Sequence, residues 1–224
     1  VRHEADDAKT QIQLQNITDA EAEALIVRSV ELFNEVRENW WQSEGREQGR
    51  VYPLCLAGIG PYGAYLANGA EYRGRYGVSK EVLRQFHARR MELLWNAGAD
   101  ILLIETQPSL QEALLEADLA EQLGADYWIS FTCGDDAHTW EGDDIRDCAK
   151  ALSENHPHLK MIGVNCVAPH LVSGLIENLK AGCGLPIGVY PNSGETYDPI
   201  TKTWSGTKDG VRFGDYAYRW MEEG

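Results

Sequence analysis

No stretch of this chain stays apolar for the roughly 20 residues that a membrane-crossing helix needs, and no signal-peptide pattern opens it. Positive charge is scarce: 20 Lys and Arg stand against 35 Asp and Glu, a net of −15. A nucleic-acid binder must neutralise phosphates, so that class is excluded, and no membrane partner is expected. The same acidity suits a cationic small ligand, besides keeping the chain soluble. The five cysteines, an odd number, contain no CxxC pair. That argues against a disulfide framework and for reduced thiols in a cytoplasmic protein. No GxGxxG follows a strand-like run, which counts against a dinucleotide-binding sheet. Position 1 is Val rather than Met, so the natural start is expected upstream.

What is present is an ordinary globular composition, 43% hydrophobic and 25% charged over 224 residues, enough for one sizeable core. Five short apolar runs read as buried strands: Val51–Ile59, Asp100–Glu105, Asp126–Thr132, Lys160–Cys166 and Leu185–Asn192. Segments with helical spacing lie between them. Ser79–Ala97 opens on a Ser N-cap and stops before Gly98. Ser109–Leu123 carries Glu112 three residues after its Ser, a capping-box pattern, and ends at Gly124. Asp143–Leu152, His170–Lys180 and a tail around Asp215–Glu222 are shorter candidates. Ahead of the first strand, Thr18–Glu38 aligns Leu25, Val30, Leu32, Phe33 and Val36 along roughly one face. Residues 1–17 are polar and aperiodic and are expected to form an arm.

Alternating strands and helices predict an α/β fold with a parallel sheet, either an open doubly wound sheet or a (β/α)8 barrel. The polar residues favour the barrel. Glu105, Thr132, Asn165-Cys166 and Asn192 each end a separate strand, where a barrel gathers its chemistry. Five strands, however, do not close one.

Cys166 could be packing, a nucleophile or a metal ligand. A nucleophile needs a base, and none of the six histidines has a recognisable Cys/His spacing. Cys55, Cys148 and Cys183 read as packing. Glu105, ending an apolar run, is costly if buried alone, so it should meet a cation: an internal Arg or a ligand ammonium. The stretch Tyr190–Pro199 (YPNSGETYDP) reads as a turn and loop dense in hydrogen-bonding groups, suited to an amino-acid zwitterion or a sulfonium. Gly58–Gly74 reads as a long Gly- and Tyr-rich loop able to cover a site.

GPYGAYLANGAEYRGRY (60–76), the ET.P of Glu105–Pro108, SFT at Ser130–Thr132, GVNC at Gly163–Cys166 and VYPNSGETYDPITKTW (189–204) together resemble the homocysteine S-methyltransferase family. The branch they look most like takes its methyl group from S-methylmethionine or S-adenosylmethionine. The resemblance covers about residue 18 to 224 as one partial homocysteine-binding barrel domain, with about strands three to seven of eight visible. It implies a (β/α)8 TIM-barrel fold, and methyl transfer from the sulfonium donor to a zinc-activated homocysteine thiol, giving methionine. Carried over residue by residue, Cys166 would be a catalytic zinc ligand, with Asn165 shaping the site and Glu105 binding the homocysteine ammonium. Ser130, Thr132, Asn192 and Ser193 would line the substrate pocket.

The family's other two zinc ligands lie in a Gly-Gly-Cys-Cys motif that these 224 residues do not contain. Of the remaining thiols only Cys133 follows a strand's C-terminal end and could stand in. Two other readings therefore stay open: a truncated, non-catalytic barrel fragment stabilised by self-association or a partner chain, and a barrel enzyme using Cys166 as a covalent nucleophile.

Overall fold

The computed structural model describes residues 17–198, 203–206 and 213–224. All of the expected arm except Ile17 lies outside these residues, as does Pro199. The first helix, α1 (Asp19–Trp40), starts on a complete capping box in which Thr18 and Glu21 satisfy each other's backbone N–H. Next come β1 (Leu56–Ile59), the short α2 (Tyr62–Tyr65), α3 (Lys80–Asn96), β2 (Ile101–Gln107), α4 (Leu110–Leu123) and β3 (Tyr127–Phe131). Then follow α5 (Ile145–Asn155), β4 (Leu159–Asn165), α6 (Val172–Gly182) and β5 (Ile187–Tyr190). A hairpin of β6 (Glu195–Asp198) and β7 (Thr203–Gly206) precedes α7 (Phe213–Glu223).

The helix ends follow local chemistry. Ser79 caps α3 and Ser109 caps α4 through their hydroxyls, Asp144 caps α5, and Gly124 ends α4 in the left-handed conformation. The capping box expected at Ser109 is only half formed. Ser109 Oγ accepts the Glu112 N–H at 3.3 Å, but the Glu112 carboxylate turns inward to other partners.

The five long strands pair in parallel in the order β1-β2-β3-β4-β5. Sequential order decides between the two architectures. Right-handed crossovers that never reverse direction place every helix on one face, as in a barrel, whereas a doubly wound sheet reverses partway and carries helices on both. The helix-facing residues Ile59, Leu102, Ile104, Ile129, Ile162 and Val164 are fully buried, each contributing about 1.5–3 kcal/mol of transfer free energy. Pleat alternation turns Gly58, Glu105, Trp128, Ser130, Met161, Gly163, Gly188 and Tyr190 to the other face, the inside of the barrel arc. That arc is tight between β4 and β5, where a Cβ on Gly163 would lie 1.9 Å from the Gly188 carbonyl oxygen.

Three expectations need correction. The first strand is short, because only its last four residues find hydrogen-bonding neighbours on β2. The supposed apolar face of α1 buries only Val30, while Leu25, Leu32, Phe33 and Val36 are exposed. This helix lies beyond the β1 edge, and its outer side has no element to cover it among the described residues. Finally, the segment read as a loop after β5 forms the antiparallel β6–β7 hairpin. Its polar four-residue strands carry no apolar run to announce them.

Candidate functional site

The site begins at the end of β4. The strand buries Ile162 and Val164 toward the helices and turns Gly163 and Asn165 inward, leaving Asn165 1% exposed. Asn165 cannot stay there unpaired. Its Oδ1 accepts the Thr106 N–H at 2.8 Å, and its Nδ2 donates to Thr106 Oγ1 at 2.8 Å. This clasp holds two left-handed residues in place, Thr106 at φ 62° and Cys166 at φ 52°. Neither is Gly, so each conformation costs about 1–3 kcal/mol that its surroundings must offset.

The same amide aims the thiol. Asn165 Nδ2 lies 3.4 Å and Thr106 Oγ1 3.8 Å from Cys166 Sγ, both as donors. Thr132 Oγ1 donates to the Cys166 carbonyl at 3.3 Å, tying β3 to the turn. Two tyrosines complete the surroundings. Burial and the adjoining Cys166 sulfur push the Tyr72 hydroxyl up to about 12. Burial also raises Tyr190, with Ser130 opposing and Glu105 and Cys166 adding to the rise. Tyr190 is therefore the neighbour shared by Cys166 and Glu105, and Cys166 opens to the barrel mouth rather than to the helical shell.

Glu105 is half-buried on β2, over the bare backbone of Gly58, where a Cβ would sit 3.0 Å from its Oε1. Burial raises its carboxyl above the usual range, and the Tyr190 hydroxyl partly opposes this. The internal Arg allowed for by the sequence is not found: among the described residues no Lys or Arg ion pair to Glu105 forms. The Ser130 hydroxyl, fully buried, faces Tyr190, yet among the described residues neither hydroxyl reaches a partner in hydrogen-bonding geometry. Asn192 joins this rim through its N–H, which donates to the Val167 carbonyl at 2.9 Å, and Ser193 follows it, exposed. Cys166, Asn165, Glu105, Ser130, Thr132 and Asn192 thus come together from four strands.

The thiols present do not make a three-cysteine zinc site. Cys133 is 2% exposed, and burial and then Asp135 raise its thiol far above normal. It neighbours the equally buried Cys148 in the helical layer. Cys55 sits below β1 and Cys183 follows α6, so the chain itself offers one thiolate at the mouth. All five thiols are free.

A second constellation lies behind the sheet and was not foreseen. His87 on α3 places Nε2 2.8 Å from Glu112 Oε1 and Nδ1 3.0 Å from Glu116 Oε1, with all three residues fully buried. Arg90 Nη2 is 3.1 Å from His87 Nδ1. The signal was available in periodicity. His87 falls in the buried stripe Leu83–His87–Met91–Leu94, and Glu112 and Glu116 occupy the apolar face of the following helix.

A singly wound parallel α/β arc with a thiol, a carboxylate and hydroxyls at its strand tips defines a barrel-type fold carrying a candidate active site. A sequence model described as homocysteine S-methyltransferase matches residues 7–224, and the chain belongs to that family. It is 44% identical over 209 residues to the homocysteine S-methyltransferase YbgG of Bacillus subtilis, covering 93% of this chain and 66% of that protein. It is 38% identical to a selenocysteine methyltransferase of Astragalus bisulcatus, over 92% of this chain and 66% of the relative. The crystal structure of the homocysteine methyltransferase MmuM from Escherichia coli in its metallated form superposes with a TM-score of 0.80 at 34% identity. That match covers 95% of this chain and 67% of the other. The chain therefore spans about two thirds of the length of the relatives it matches.

Proposed function

We propose that these 224 residues carry the homocysteine-binding and thiol-orienting part of a methyltransferase that moves a methyl group from S-methylmethionine or S-adenosylmethionine to homocysteine, giving methionine. The observation that carries this reading is the shared position of Tyr190 between the Cys166 thiol and the Glu105 carboxylate, at the strand tips. Glu105, which meets no Lys or Arg among the described residues, accepts the homocysteine ammonium. The Ser130 and Tyr190 hydroxyls, which find no partner in hydrogen-bonding geometry among the described residues, bind its remaining polar groups or those of the donor, together with Asn192 and Ser193 on the following loop. The Thr132 hydroxyl supports the turn at Cys166 rather than the ligand.

In the reaction, the homocysteine sulfur attacks the methyl carbon of the sulfonium. The bond from that carbon to the donor sulfur breaks, the donor leaves as a neutral thioether, and the homocysteine thiol proton is lost to solvent. The chain's contribution is alignment of the two sulfurs with the carbon between them. The net charge of −15 favours arrival of a cationic donor. A zinc ion, when bound, keeps the attacking sulfur deprotonated. Cys166 would supply one sulfur ligand toward it. Five free thiols fit a reducing, cytoplasmic setting.

The test is methionine formation by the full-length protein carrying these residues, with each sulfonium donor and zinc present. Turnover with one of them, abolished by Cys166→Ser, is expected. No turnover, or turnover indifferent to that substitution, defeats the reading.

One observation favours a second reading for the isolated chain. Among the described residues β1 and β5 each have a single neighbour in the sheet. An apolar groove of about 540 Å³ runs beside β5, lined by Ile187, Val189, Phe213, Trp220 and Met221. Such edges promote self-association or pairing with another chain, and the isolated chain is then non-catalytic. Sedimentation and elemental analysis separate the cases: about one zinc per monomeric chain rejects the second, whereas metal-free oligomers support it.

A further inference from the structure

The buried cluster behind the sheet bears on the loop in front of it. Glu112 Oε1 accepts two hydrogen bonds, one from His87 Nε2 at 2.8 Å and one from the Tyr62 backbone N–H at 2.7 Å. Arg90 Nη2 donates to the Gly60 carbonyl at 3.1 Å. Tyr76 packs its ring 5.6 Å from that of Tyr62, and its hydroxyl makes no hydrogen bond among the described residues. Phe86 fills the remaining space, its ring 5.1 Å from Tyr62 and 4.8 Å below the Arg90 guanidinium. Gly60, Tyr62 and Tyr76 are the two ends of the 60–76 loop. Between them the loop runs out to Tyr72, which meets Trp140 at 6.3 Å and adjoins Cys166.

We propose that His87, Arg90 and Glu112 form a buried anchor that clamps the start of the 60–76 loop, on which the Tyr76 ring then packs, and so hold Tyr72 beside the Cys166 thiol. They are positioning residues, since none of them reaches the mouth. The proposal goes beyond the methyl-transfer reading and stands without it, because it concerns access to Cys166 whatever the reaction.

A histidine with two carboxylates, their donor atoms within 4.8 Å of one another, also resembles a metal's ligand set. Charge and geometry favour the anchor. Each ring nitrogen already faces a carboxylate oxygen at hydrogen-bond distance. Arg90 Nη2 stands 3.1 Å from His87 Nδ1, so a divalent ion held by these three side chains would lie beside a buried guanidinium.

The wild-type chain gives the first test, by hydrogen exchange. The Tyr62 amide should exchange as slowly as the core amides of α3, although it opens the short helix α2, where a first-turn N–H has no partner within its own helix. Exchange at the rate of the Asn68 amide, on an exposed residue of the same loop, overturns the proposal. In Glu112→Gln, exchange across 60–76 should rise at least tenfold over that of β3, and alkylation of Cys166 by iodoacetamide should quicken several-fold. Tyr72→Ala should quicken alkylation alone and leave the Tyr62 amide protected. Leu94→Ala, on the His87 helix α3 but away from the cluster, controls for general loosening. If it accelerates Cys166 as much as Glu112→Gln does, or if Glu112→Gln leaves the thiol unchanged, the anchor is rejected. A rise in melting temperature with added zinc or manganese that is lost in His87→Gln would replace it with a metal site.

Discussion

Thr106 and Asn165, 59 residues apart, clasp each other through two reciprocal hydrogen bonds of 2.8 Å, one using the Thr106 backbone N–H and one its hydroxyl. The pairing joins the tips of β2 and β4 across the intervening strand. It sets both neighbours that matter: Glu105 precedes Thr106, and Cys166 follows Asn165.

Removing the amide should therefore cost more than one hydrogen bond. Asn165→Ala leaves the Thr106 N–H buried without an acceptor, and a stability loss of about 2–3 kcal/mol is expected. Urea unfolding measures it. Cys166 should also lose its fixed orientation, seen as a change in its alkylation rate.

The left-handed backbone at Cys166 separates chemistry from stability. Cys166→Gly removes the side chain from a conformation that Gly adopts freely, so stability should stay within about 1 kcal/mol of wild type while methyl transfer by the full-length protein disappears. Cys166→Val should destabilise by about 1–2 kcal/mol, because a β-branched residue resists positive φ. Unfolding midpoints of the pair decide the matter.

Glu105 should show a conflict between stability and binding. Burial, only partly opposed by Tyr190, raises its folded-state affinity for a proton above the ordinary value of 4.5. The ligand-free fold then holds that proton more tightly than the unfolded chain, and stability falls as pH climbs through the window just above 4.5. Glu105→Gln should remove this loss and raise the melting temperature at neutral pH by about 1–3 °C. The same change should weaken homocysteine binding about 100-fold, by loss of a charged partner to the ammonium. Calorimetry on the full-length protein reads both effects.

His87 predicts a slope at higher pH. Burial opposes its charge, but Glu116 and Glu112 outweigh this and push it up to about 9 from 6.5. A raised histidine contributes stability that is complete below 6.5 and is lost as pH rises toward 9. Burial also pushes Glu116 up to about 7 from 4.5, so its own contribution falls as pH climbs between those values, mostly below the His87 window. His87→Gln should flatten the curve of stability against pH between 6.5 and 9. At pH 6 it should cost about 3 kcal/mol, by leaving the carboxylates without their central cation. Denaturant titrations at four or five pH values check both.

Secondary structure and the strand-tip placement of the candidate site residues could be read from the chain because their causes are local. Ser79, Ser109 and Gly124 mark helix ends by hydrogen bonds and φ angles made within a few residues. Glu105 and Asn165-Cys166 stand at the ends of apolar runs, and a parallel sheet carries such ends to one rim. The β6–β7 hairpin escaped because its stability lies in cross-strand pairing rather than in an apolar pattern. The two uses of Glu112 show where local reasoning stops. Sequence spacing assigns its carboxylate to the cap of its own helix, while packing of α3 against α4 offers His87 and the Tyr62 N–H instead. So the residue types and their place at the strand tips were determined by the sequence alone. The clasp of Thr106 and Asn165, the tyrosines flanking Cys166 and the anchor beneath the loop were decided by tertiary structure, because each joins groups that only the closed packing brings within hydrogen-bonding distance.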